Sequence, residues 1–153
     1  MNDEISARLA RHGVALATPA APRHAYVPAT RLGDMLFLSG KTPKEGGRLV
    51  STGRLGAELG VPEGRLAARV AAVSALASLE AEVGLQHVRR ILKLTGYVAS
   101  ADGFFEQSAV VDGASEFFAD VLADAGRHAR TAIGVAALPG NAPVELDLVV
   151  EVR

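Results

Sequence analysis

Residues 130–153 read Arg130-Thr131-Ala132-Ile133-Gly134-Val135-Ala136-Ala137-Leu138-Pro139-Gly140-Asn141-Ala142-Pro143-Val144-Glu145-Leu146-Asp147-Leu148-Val149-Val150-Glu151-Val152-Arg153. From Val144 the residues alternate. Val144, Leu146, Leu148, Val150 and Val152 fall on one side of an extended chain, and Glu145, Asp147, Val149 and Glu151 on the other. This pattern predicts a strand with one apolar face. Residues 131–138 form a second, shorter apolar run. Between the two lie Pro139 and Pro143, whose φ is fixed, and Gly140 and Asn141, which tolerate positive φ, so the chain turns there.

Working upstream, residues 105–125 carry a helical stripe of Val110, Ala114, Phe117, Val121 and Ala125, with Gly126 as its stop. Residues 88–100 read as a long strand, Leu92, Leu94 and Val98 on one side and Ile91, Lys93, Thr95 and Tyr97 on the other. Residues 62–83 predict a second helix. Pro62 suits its first turn, Glu63 complements its dipole, and Leu66, Val70, Val73, Leu76, Leu79 and Val83 step along one face up to Gly84. Residues 53–61 read as a glycine-rich loop that borders a pocket. Residues 26–31 and 35–39 read as strands joined through Leu32-Gly33-Asp34, and a third short strand is expected at 49–52 after the Glu45-Gly46-Gly47 turn. Residues 3–13 predict a short amphipathic helix with Ile5 and Leu9 on one face, and 14–24 an extended connector.

The expected architecture is a single α+β domain over residues 1–153: an N-terminal helix and connector (1–24), then a core (25–153). The core is a two-layer sandwich, a mixed six-stranded sheet covered on one face by two helices. The uncovered face would carry Ile91, Tyr97, Val149 and the aliphatic stem of Lys93, which predicts burial by self-association.

Apolar residues make up 49% of the 153, yet there are only five Phe, two Tyr and no Trp, so packing rests on Ala, Val and Leu. Sixteen basic against seventeen acidic residues give no basic excess of the kind that marks a nucleic-acid surface. The absence of cysteine rules out a thiolate nucleophile, a disulfide framework and a zinc–thiolate site. The sequence shows no signal-peptide pattern and no apolar run of membrane-spanning length, so a cytoplasmic protein without membrane contact is expected. His12, His24, His87 and His128 are scattered without metal-ligand spacing, and no metal is expected. Leu38-Ser39-Gly40 lacks the preceding glycine of a Gly-x-Ser-x-Gly elbow, and no phosphate-binding glycine motif occurs.

Two blocks with internal spacing intact resemble the signatures of the RidA/YjgF imine deaminase family. One is Ala129-Arg130-Thr131-Ala132-Ile133, then Leu138-Pro139, then Val144-Glu145, fifteen residues from arginine to glutamate. The other is Tyr26-Val27, Leu32-Gly33-Asp34 and Leu38-Ser39-Gly40-Lys41-Thr42-Pro43. The resemblance implies a homotrimer whose sheets close a barrel, with sites in the intersubunit clefts. It also implies cofactor-free hydrolysis of 2-imino or enamine acids to 2-oxo acids and ammonia.

Under that resemblance Arg130 would hold the substrate carboxylate through two parallel hydrogen bonds; a structural ion pair to a C-terminal acid is the other reading. Glu145 would orient or activate the water, or else be a solvated or paired strand residue. Tyr26 matches the family's pocket tyrosine. Ser39 and Gly40 would bring backbone N–H groups close to a ligand, or simply end a strand. Thr131 offers a hydroxyl, which strand propensity explains equally well. Ala132 stands where relatives commonly carry cysteine and leaves only backbone atoms. Lys41 replaces the usual glutamine, and Asp112 or Gly113 falls nearest a family asparagine. These departures keep open a second reading, a non-catalytic sensor or interaction protein that binds a small carboxylate. RNA cleavage, also attached to relatives, finds no support in the charge balance. If 131–138 and 144–152 pair as a direct hairpin, Arg130 and Glu145 lie ~20 Å apart and a site using both needs two chains.

Overall fold

The computed structural model describes residues 3–21 and 24–153. Met1, Asn2, Pro22 and Arg23, parts of the expected N-terminal segment and connector, lie outside the described residues. Helices α1 (Asp3–Arg11), α2 (Val61–Glu82) and α3 (Gln107–Leu122) alternate with strands β1 (Ala29–Leu32), β2 (Met35–Lys41), β3 (Lys44–Glu45), β4 (Arg48–Leu49), β5 (Val88–Ala99), β6 (Ala129–Val135) and β7 (Val144–Val152). The architecture is α+β, a mixed sheet with helices on one face. The sheet has five strands rather than six, in the order β1-β2-β7-β5-β6. The expected third strand at 49–52 instead forms part of a separate ribbon. Gly46 and Gly47, both at positive φ, turn the chain so tightly that β4 returns directly onto β3.

β7 spans the predicted residues and is the sheet's centre, antiparallel to β2 on one side and β5 on the other. Its apolar face, Val144 to Val152, is at most 1% exposed. Burial of each such side chain contributes about 1.5–3 kcal/mol. β6 pairs with β5, in parallel, and lies at the sheet edge. The direct hairpin between β6 and β7 is therefore absent, and the distance argument built on it lapses.

α2 and α3 cover the sheet, and α1 lies against α3 through Ile5 and Leu9. The buried face of α2 differs from the predicted leucine–valine stripe. Ala67, Ala68, Ala71, Ala72 and Ala75 line it with Val70, Leu76 and Leu79, whereas Leu66 is 55% exposed. Short side chains let the helix sit close to its neighbours. At the crossing, a Cβ on Gly113 of α3 would overlap the Arg65 backbone carbonyl of α2. The long strand also departs from simple alternation. A register shift between Ile91 and Lys93 turns Ile91 onto the helix side, where it is 1% exposed, so it leaves the predicted uncovered face. Within the expected loop at 53–61, Leu55 is fully buried in the core. No helix among the described residues is long and apolar enough to cross a membrane.

Candidate functional site

The parallel register sets Arg130 beside Leu94, whose side chain points toward the helices. Because β6 is an edge strand, the Arg130 side chain leaves the core and runs along the flank of α3. Its Nη1 donates to Asp112 Oδ1 at 2.6 Å and to Ser115 Oγ at 3.1 Å, while Nη2 makes a long contact with the Ser108 carbonyl at 3.4 Å. Asp112 and Ser115 are three residues apart on α3 and so share a face. Asp112 also faces Arg65 of α2 at 3.9 Å, and Arg65 pairs with Glu116 at 2.6 Å. These contacts consume both Nη1 protons of Arg130. Nε–H and one Nη2–H have no partner among the described residues and form the planar fork that fits a carboxylate. Arg130, Asp112, Ser115, Ala119, Gly126, Arg127 and His128 line an open crevice of about 370 Å³.

His128 lies two residues before Arg130. Its Nδ1 is 2.6 Å from the Gly126 carbonyl, which only accepts, so Nδ1 carries the proton and donates. Nε2 is left as an acceptor for the Ser115 hydroxyl at 2.9 Å. Burial lowers the His128 pKa below its usual 6.5; the Gly126 carbonyl opposes that shift and the Arg130 charge adds to it. The imidazole is neutral at pH 7. A directed chain of hydrogen bonds results, from Arg130 to Ser115 to His128 to the Gly126 carbonyl.

A second group of predicted residues meets on the other face of the sheet. Between Leu38–Leu148 and Lys41–Leu146 the pairing of β2 with β7 contains one extra residue on β2. At this bulge Gly40 lies directly under Glu145, since a Cβ there would run into the Glu145 carboxylate. Ser39 donates its hydroxyl to the Val27 carbonyl at 2.7 Å and its N–H to the Pro28 carbonyl at 2.9 Å, tying down the arm that carries Tyr26. Tyr26 precedes β1 rather than opening it and is 53% exposed. Tyr97, opposite Glu145 in the register, donates its hydroxyl to Asp147 at 2.7 Å. That bond is the main reason its phenol pKa is raised. Burial raises the Glu145 pKa, Asp147 adds to the rise, and Lys44 acts against it.

The structure thus joins Arg130 with Asp112, and Gly40 with Glu145, and it sets the two groups on opposite faces of one sheet. Thr131 sits on the face away from Arg130, where Lys93 Nζ donates to its hydroxyl at 2.6 Å. Ala132 packs against the core. Lys41 pairs with Leu146, toward the helices, and burial lowers its pKa while Glu82 opposes. Sequence reading missed Ser115 and His128. Their signal lies in two spacings taken together, His128 two residues before Arg130 at the entry to β6, and i and i+3 on a helix for 112 and 115.

Comparison with known proteins agrees with the fold. Residues 6–152 match the family described as "YjgF/chorismate mutase-like, putative endoribonuclease". Protein TCP17 of Trypanosoma cruzi is 43% identical over 151 residues, 97% of this chain and 94% of the relative. The Agrobacterium tumefaciens protein Atu1372 is 42% identical with a TM-score of 0.93, over 99% of this chain and 94% of its own. A "putative endoribonuclease" from Shewanella oneidensis MR-1 is 31% identical with a TM-score of 0.93, over 98% of this chain and all of its own.

Proposed function

The chain belongs to the YjgF/RidA family, matched across residues 6–152, and on that footing we propose that it hydrolyses reactive 2-imino acids, or their enamine tautomers, to 2-oxo acids and ammonia. The observation that carries this reading is the Arg130 fork. Asp112 and Ser115 hold the guanidinium through Nη1 alone, leaving Nε–H and an Nη2–H for an incoming carboxylate at the crevice. A charge-assisted contact of this kind contributes about 1.5–3 kcal/mol.

An imine carbon beside a carboxylate is already electrophilic, so the protein need only fix the acid, place a water and move protons. Arg130 fixes the acid. Glu145, whose raised pKa makes it a stronger base than an ordinary glutamate, takes a proton from the water. Within one chain the two residues lie on opposite faces of the sheet. The site is therefore built between copies, Arg130 from one and Glu145, with Gly40 and the Tyr26 arm, from the next. A homotrimer packed through the uncovered sheet faces and the β6 edges meets this requirement, and it buries Met35, Phe37 and Ile133, which are 38%, 41% and 46% exposed in the single chain.

The test is to generate 2-aminoacrylate or 2-iminobutanoate in situ and follow loss of the imine. Wild-type protein is expected to accelerate that loss, and Arg130→Ala to lower kcat/KM by about ten- to a hundredfold. No acceleration, or an Arg130→Ala rate equal to wild type, overturns the reading. Carboxylate binding by calorimetry without turnover of any imine would instead identify a ligand sensor.

A further inference from the structure

Ser115 and His128 lie beside the Arg130 fork, whose charged partner is Asp112 at 2.6 Å, with Ser115 the longer contact at 3.1 Å. Both nitrogens of His128 are committed, Nδ1 as donor to Gly126 and Nε2 as acceptor from Ser115. Ser115 Oγ in turn receives Arg130 Nη1. Every proton in this chain has one direction, set by a backbone carbonyl at one end and a guanidinium at the other.

We propose that Ser115 and His128 form the proton-delivery arm of the Arg130 crevice, in which His128 takes up a proton when an organic anion docks and passes it through the Ser115 hydroxyl to the ligand's nitrogen. This rests on the imine reading above. Two features keep His128 neutral, its burial and the adjacent guanidinium, against the opposing pull of the Gly126 carbonyl. A carboxylate on the Arg130 fork offsets that positive charge and favours the imidazolium. Nε2 then becomes a donor to Ser115 Oγ. The hydroxyl proton, no longer held by Nε2, turns into the crevice toward the ligand. The other neighbours of His128 do not compete for the role. The Phe118 ring from α3 stands perpendicular to the imidazole, with ring centroids 6.0 Å apart. Asp112 is occupied by Arg130 at 2.6 Å and faces Arg65, while Arg127 and Asp124 pair with each other at 3.4 Å outside, both largely exposed.

The step balances. Ser115 gives its proton to the imine nitrogen and His128 replaces it. Water forms the new C–O bond and loses a proton to Glu145. Glu145 passes that proton to the nitrogen as the C–N bond breaks, the hydroxyl formed from the water gives its own proton back through Ser115 to His128, and ammonia and the 2-oxo acid leave. Nitrogen gains two protons and the water loses two, and Glu145, Ser115 and His128 return to the protonation states they held with the ligand docked. His128 acts through Ser115 and is a positioning residue; Ser115 is the group that meets the ligand.

The test follows the His128 ring proton by NMR across pH, using wild-type protein and pyruvate as an unreactive anion, with His128→Gln identifying the resonance. Pyruvate is expected to raise the His128 midpoint by about 0.5 pH unit or more, as an anion placed near an imidazole does, and Arg130→Ala to abolish the shift. With imine as substrate, Ser115→Ala and His128→Gln should each lower kcat about tenfold or more and flatten the pH profile between 5 and 7, leaving KM within about threefold. Pyruvate that binds without moving the His128 midpoint removes the relay alone and leaves the carboxylate site standing. So does full kcat with an unchanged pH profile in both variants. A wild-type protein that neither binds pyruvate nor consumes imine removes the deaminase reading, and the relay with it.

Discussion

At the scale of single residues, Gly40 and Glu145 make a contact whose purpose two substitutions separate. In Gly40→Ala the new Cβ meets the end of a flexible carboxylate side chain rather than backbone, so Glu145 swings away. Stability should change by less than about 1 kcal/mol, while, with Glu145 as the proposed base, imine turnover should fall; thermal unfolding and the imine assay read the two effects. Glu145 itself is held in a position that disfavours its charge. An acid whose folded pKa lies above its ordinary 4.5 contributes fully to stability below that value, and the contribution is lost as pH rises through the folded value. Glu145→Gln should therefore raise the melting temperature at pH 7 and lose that advantage at pH 4. An equal effect at both pH values would show that burial and Asp147 do not penalise the carboxylate. Arg130 and Glu145 were singled out by their spacing within a family-like motif, and their roles belong to the proposed function. Ser115 and His128 were not singled out, because a serine within a helix and a lone histidine carry no pattern until β6 and α3 are seen side by side.

At the scale of elements, legibility follows regularity. β7 alternates without interruption, and its bounds were predicted to the residue. β5 contains a register shift, which alternation cannot reveal, so Ile91 was assigned to the wrong face. For α2 the error was one of size. Leucine and valine drew the predicted stripe, but the space between α2 and α3 admits mainly alanine, and Leu66 turns outward. The same tight fit governs Gly113, where any Cβ meets the α2 backbone, a neighbour that cannot move aside cheaply. Gly113→Ala should cost about 1–3 kcal/mol of stability, seen as a lower denaturation midpoint with an unchanged slope. The end of α3 holds the opposite case. Ala123 sits at φ 54°, ψ −131°, a region that suits glycine. Ala123→Gly should raise stability by about 0.5–1 kcal/mol in the same measurement.

At the scale of the whole molecule, helices cover one face of the sheet only. The other face carries Met35, Phe37, Ile133, Val149 and Tyr97 around a few polar groups. Contiguous apolar surface of this kind is the mark of an interface. That one face would be left without helices was legible from the pattern of elements; what the proposed partner copy would present to it was not, because the alternation of one strand says nothing about a chain across from it. The proposed two-chain site has a consequence that one-chain chemistry lacks. Arg130→Ala and Glu145→Ala chains each lack one partner, so either variant alone should be inactive. In a head-to-tail ring every site takes Arg130 from one copy and Glu145 from the next. Random co-assembly of the two variants in equal amounts then rebuilds an intact pair in about one site in four. Co-expressed variants should recover about a quarter of wild-type turnover, and Ile133→Glu, on the face that the proposed assembly would bury, should abolish both the recovery and the association expected by light scattering. A co-expressed mixture as inactive as its parents, formed from chains that do co-assemble, would mean that no site draws these two residues from different copies.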